Sequence, residues 1–125
     1  MKQFEIIRAY KIIERLENKQ MPLKVSYALY QVKLLLQPQY DFQLKQEQEV
    51  YNRFKYTQKP DGKLDFGSKE KAQEFMKAMS DKIDELSELE VDLGQFKKPQ
   101  ISVSTDIELS TADIMALELF VEFID

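Results

Sequence analysis

The sequence predicts a mostly helical α+β fold, with about five helices and a small β-hairpin or short sheet near residues 90–104. Two observations carry this. Apolar residues recur every three to four positions through most of the chain, the period of a helix with one buried face. In two short stretches, Glu90–Leu93 and Ile101–Ser104, they alternate instead, which is the period of a strand. A chain of 125 residues with 43% hydrophobic and 32% charged side chains fits one domain, 1–125, around one modest core.

The first helix is predicted over Lys2–Asn18, where Ile6, Ala9/Tyr10, Ile13 and Leu16 share a face. Pro22 disfavours helix at Met21, so Leu23–Val25 reads as a short extended piece. Ser26 is placed to cap a second helix through Ala28, Leu29, Val32, Leu35 and Leu36, which Pro38 stops or kinks. A third helix follows, carrying Tyr40, Leu44, Tyr51 and Phe54 to about Tyr56. Leu64–Phe66 is a further candidate strand. The fourth helix starts near Ser68 and keeps its period through Ala72, Phe75/Met76, Met79, Ile83, Leu86 and Leu89. Beyond the predicted hairpin, Ser110 and Asp113 form a variant capping box. They open a last helix through Ile114, Leu117, Phe120/Val121 and Ile124.

The chain has no Cys, no His and no Trp. Disulfides, thiolate nucleophiles and sulfur-ligated metals are excluded, and so are the commonest general base and the commonest transition-metal ligand. No catalytic, cofactor-binding or metal-binding residues are expected, and no cofactor. Charges interrupt every apolar run near the first residues, unlike a secretory signal, and no run approaches the ~20 residues of a membrane span. The expected setting is cytoplasmic, without membrane association.

Charge is unevenly spread. Residues 1–63 hold 12 Lys/Arg and 7 Asp/Glu, net +5, while residues 64–125 hold 6 and 15, net −9. The stretch Lys59–Glu70, K-P-D-G-K-L-D-F-G-S-K-E, lies at the junction. As a calcium loop starting at Asp61, it puts Lys63 at a ligand position, Phe66 where glycine belongs and Ala72 where the closing Glu belongs. As a phosphate loop, it has the glycine spacing at Gly62 and Gly67, but Ser68-Lys69 reverses the required order. Pro60-Asp61-Gly62 is turn chemistry, so the stretch reads as a conformational joint.

Three surface candidates remain. Asp81, Asp84, Glu85 and Glu88 share the outer face of the fourth helix and form an acidic docking surface or a solvated face. Tyr27, Tyr30, Tyr40, Tyr51 and Tyr56 alternate with Lys24, Lys33, Lys45, Arg53, Lys55 and Lys59, a pattern that serves single-stranded nucleic acid or simply edges a core. Met76 and Met79 beside Phe75 are expected in the core, with an adaptable binding face as the alternative.

The layout also resembles a type of small phage or prophage protein from Gram-positive bacteria, a domain of unknown function. The resemblance rests on the helical pair "FEIIRAYKIIERL" and "VSYALYQVKLLL", and on "VYNRFKYTQKPDGKLDF", a helix entering a D-G turn. It continues in "SKEKAQEFMKAMSDKIDELSELEVDL" and the capped "IELSTADIMALELFVEFI". It covers most of the chain and implies context rather than chemistry. Together with the missing catalytic residue types and the uneven charge, it points to a non-enzymatic accessory protein acting on a host or phage protein partner. A narrower form inhibits a host nucleic-acid-binding or defence protein through Asp81, Asp84, Glu85 and Glu88. The alternative is nucleic-acid binding by the basic, tyrosine-rich N-terminal half.

Overall fold

The computed structural model describes residues 1–125 as four helices and two small two-stranded sheets. Helix α1, Gln3–Leu16, buries the predicted stripe of Ile6, Ala9, Tyr10, Ile13 and Leu16. Its first turn is closed by the Lys2 backbone N–H, which donates to Glu5 Oε1 at 2.9 Å. α1 is the element around which the main core assembles, touching α2, α3 and α4.

The second and third predicted helices are one. Helix α2 runs unbroken from Leu23 to Asn52 with Pro38 inside it, roughly 45 Å at 1.5 Å per residue. An interior proline removes one backbone hydrogen bond. Here Pro38 and Leu34, whose carbonyl loses its donor, are both exposed, so water can take the donor's place. Packing against α1 then keeps the chain helical across the defect. Before the proline, Val32 and Leu36 enter the core. Immediately before it, Gln37 Oε1 accepts from the Tyr10 hydroxyl at 2.7 Å, and after it the Tyr40 ring stacks on Tyr10 with centroids 3.9 Å apart. Buried Gln3 donates through Nε2 to the Gln39 carbonyl at 3.0 Å and to Gln43 Oε1 at 3.3 Å, while its own Oε1 is left without a partner. The helix also starts earlier than predicted. Pro22 takes the N-cap position, so Leu23–Val25 is helical rather than extended and Ser26 caps nothing.

Strands β1, Thr57–Gln58, and β2, Leu64–Asp65, form an antiparallel hairpin over the predicted turn. Helix α3, Lys69–Ser87, begins at Ser68 as predicted, with the Ser68 hydroxyl accepting from the Lys71 N–H at 3.2 Å. α3 returns alongside α2 and reaches α1 at its far end.

No hairpin forms between 90 and 104. Glu90 instead bridges to Lys2, with the Gln3 N–H donating to the Leu89 carbonyl and the Val91 N–H to the Met1 carbonyl. From there a non-repetitive strap carries half-buried Val91, Leu93 and Phe96 across the core, and Phe96 stacks on Phe120. Strand β3, Gln100–Ser102, pairs in parallel with β4, Glu122–Ile124. Helix α4, Thr111–Leu117, connects them. The last predicted helix therefore stops about two turns early. Phe120, Val121, Phe123 and Ile124 are aromatic and β-branched. Phe120 and Val121 still donate back to the Leu117 carbonyl, and from Glu122 onward the edge of β3 satisfies the backbone where a helix would otherwise have to.

Nearly all the buried apolar residues fall into two clusters, with Leu86 of α3 buried outside both. Sixteen, from α1, the first half of α2, β3, α4 and the segment after α4, form the main core. Val50, Phe66 and Phe75 form a second, small one where the outer half of α2, the hairpin and α3 meet.

Candidate functional site

The turn at 59–63 uses its polar groups on itself. Asp61 Oδ1 accepts from the Lys63 N–H and Asp65 Oδ1 from the Gly67 N–H, both at 2.9 Å. Gly62 lies at φ +87°, a conformation open to glycine and strained for other side chains. Both carboxylates thus serve as turn formers, in keeping with a conformational joint. Across the whole chain, no three metal-ligating side chains come together.

Asp81, Asp84, Glu85 and Glu88 are all exposed on the outer face of α3. They are not equivalent. Glu88 Oε2 takes the Lys2 ammonium at 3.1 Å, and hydrogen bonds to Glu88 and then Glu90 hold that ammonium above its ordinary value. Asp81, Asp84 and Glu85 have no ion-pair partner. The acidic face therefore has three free carboxylates, with Glu88 tied to the start of α1. The basic and acidic halves of the chain also interleave. Arg15 of α1 pairs with Asp113 of α4, and Lys97 and Lys98 come to lie beside Lys24.

The tyrosines divide by environment. Tyr10 and Tyr40 stack against each other within the body, and Tyr51 packs against Phe75 in the small cluster. Tyr27, Tyr30 and Tyr56 are exposed. Met79 is half-buried, but Met76 is 67% exposed, contrary to its expected place in the core. α3 leans on its neighbours along Phe75, Met79 and Leu86, and Met76 falls just past that line of contact.

A further surface escaped the sequence reading. Along the first half of α2, Leu23 is 84% exposed, Tyr27 58%, Tyr30 54% and Leu34 55%. Their spacing of four, three and four places them on one helical stripe. Val25, Ala28, Leu29, Val32 and Leu36 form the opposite, buried stripe. At 100° per residue the two stripes stand about 180° apart. This half of α2 is thus apolar on both sides, with only one side covered by its own chain. The signal was present in the sequence, hidden because a helix with one good apolar face invites no search for a second. Gln37 and Asp41 continue the stripe as polar positions, so it ends after about three turns.

Lysines flank this stripe. An open depression of about 490 Å³ is lined by Lys24, Tyr27, Gln31, Lys97 and Lys98, with no carboxylate among its lining residues. Lys98 is held there by the Glu118 carbonyl at the end of α4, to which it donates at 2.9 Å, and it pairs with no carboxylate. On the other flank, Lys33 pairs with Glu17 at 2.7 Å. Lys97 and Lys98 are more than 70 residues from Lys24 in sequence, so only folding brings them together.

No helix is long and apolar enough to cross a membrane. Comparison with protein-family models, curated proteins and solved structures returned no match to this chain.

Proposed function

We propose that the protein is a non-enzymatic accessory protein that works by binding another protein. One observation carries this reading: the apolar stripe Leu23, Tyr27, Tyr30, Leu34 stands opposite the core-facing side of the same helix, uncovered. Contiguous exposed apolar surface with a polar surround is characteristic of interaction sites. The resemblance to phage and prophage proteins supports a host or phage protein as the partner. Capture from host and infected-cell lysates tests it, with wild-type protein and a Tyr30→Glu/Leu34→Glu variant as baits. A stoichiometric protein held by the first and lost by the second is the expected result. Equal recovery by both baits, or none by either, refutes it.

A second reading keeps the acidic face of α3 as the docking surface, imitating a phosphate backbone. It is favoured by one observation, that Asp81, Asp84 and Glu85 are exposed and unpaired. Reversing Asp81, Asp84, Glu85 and Glu88 to Lys separates the two readings. Loss of the partner from that bait, with retention by the Tyr30→Glu/Leu34→Glu bait, moves the docking surface to α3.

A further inference from the structure

The chemistry around the α2 stripe narrows what can cover it. The stripe's 4-3-4 spacing is that of a coiled-coil seam, which is read by another helix carrying apolar residues at the same intervals. Flat apolar contact alone is thin: three turns of one helix offer far less than the ~800 Å² per partner of a standard stable interface. Affinity therefore has to draw on the flanks. One flank carries Lys24, Lys97 and Lys98, with no carboxylate in the depression between them. The other carries Lys33, already neutralised by Glu17. A second copy docking stripe to stripe would set this flank against its own copy in an antiparallel pair, where like charges repel, and against the Lys33–Glu17 pair, whose carboxylate is already engaged, in a parallel one. Single-stranded nucleic acid would find the two exposed tyrosines and three lysines, but it has no use for Leu23 and Leu34 at the two ends of the stripe.

Building on the protein-binding reading above, we infer that the α2 stripe receives an amphipathic helix of a partner protein whose apolar seam is edged by carboxylates. The partner's leucine-type side chains lie along Leu23, Tyr27, Tyr30 and Leu34. Its acidic edge lies over the depression of Lys24, Lys97 and Lys98. A partner helix with a lysine edge is rejected by the same charges, which makes the lysines the source of specificity and the stripe the source of adhesion.

The test uses the full chain and two labelled synthetic helices of about 20 residues, long enough to hold helical structure. Both carry leucine at the heptad core positions. One carries glutamate at the flanking positions and the other lysine. Fluorescence anisotropy should show the glutamate helix binding at least about tenfold more tightly, a difference worth ~1.4 kcal/mol. The preference should shrink with added salt. Lys24→Glu/Lys97→Glu/Lys98→Glu should invert it, and Leu34→Glu should abolish binding of both helices. These positions are exposed, and circular dichroism verifies that each variant keeps its helix content.

Equal binding of the two helices, or no inversion in the triple variant, overturns the acidic partner while leaving the stripe as a protein-binding surface. Binding of neither helix, together with lysate capture that is indifferent to Tyr30→Glu/Leu34→Glu, brings down the wider reading as well. Tighter binding of single-stranded oligothymidylate than of either helix assigns the surface to nucleic acid and overturns the proposal. Self-association in sedimentation that Leu34→Glu removes assigns it to a second copy and does the same.

Discussion

The body around α1 and the arm formed by the outer half of α2, the β1–β2 hairpin and α3 are packed by different means. The body buries sixteen residues, mostly aliphatic, drawn from both ends of the chain. The arm's cluster holds three, Val50, Phe66 and Phe75, and is built from rings: Phe75 stacks on Phe66 with centroids 4.6 Å apart, and Phe54 meets both edge-on. A few aromatic side chains supply much contact area per residue, so a short helical hairpin can close with almost no interior. The difference teaches where stability and opening reside. Sixteen residues of shared burial make the body the cooperative unit, while three leave the arm free to open before the rest unfolds.

The sharpest way to probe this contrast is to remove one ring from each region. Phe120, fully buried in the body, should cost about 3–5 kcal/mol on change to alanine and lower the urea midpoint of the whole molecule. Phe75→Ala in the arm should cost less, about 2–3 kcal/mol, because its cluster is small and can collapse around the space left. Hydrogen exchange should then show lost protection in α3 and the outer half of α2, with α1 amides still protected. Equal loss of protection in α1 would mean that the two clusters unfold as one.

Pro38 sits between the regions, so it tests how firmly they are joined. Restoring the missing backbone hydrogen bond with Pro38→Ala should stabilise the protein by about 1–2 kcal/mol and tighten exchange on both sides of residue 38. No gain would show that hydration of the Leu34 carbonyl already compensates.

Within the body, Asp113 is the buried charge to examine. Burial pushes its carboxyl up, but the Ser110 backbone N–H and Arg15 outweigh this and hold it below the usual carboxylate value. A carboxyl with a lowered folded pKa contributes stability above its unfolded value, near 3.9, and loses it as pH falls through the folded value. Asp113→Asn should therefore destabilise by about 1–2 kcal/mol at pH 7, and the gap from wild type should close below about pH 4. A gap that does not narrow at all as pH falls below about 4 would show that shape rather than charge holds Asp113. The smallest effect belongs to the exposed pair of Lys2 and Glu88. Glu88→Gln should leave the urea midpoint unchanged within error, since solvent screens a pair this open.

Much of the fold was legible because its signals are local. The α1 stripe, the Ser68 cap, the Asp61-Gly62 turn and the Ser110–Asp113 capping box each depend on residues within a few positions of one another. The acidic face of α3 was legible for the same reason. The basic depression was not, because Lys97 and Lys98 reach Lys24 only through the strap that crosses the core.

By itself the sequence determined the helical periods, the turn that reverses the chain and the absence of thiol and imidazole chemistry. The tertiary structure decided three matters that local pattern argued the other way. Pro38 became a helix interior because Gln37 just before it, and Gln39 and Tyr40 just after it, found partners on α1. Residues 122–124 became a strand because Gln100–Ser102 offered them an edge. Leu23, Tyr27, Tyr30 and Leu34 became a surface because α1 and the C-terminal elements cover α2 from one side only. In each case a backbone group or an apolar side chain is satisfied by whatever lies across from it. What lies across is set by distant parts of the chain, beyond the reach of any local period.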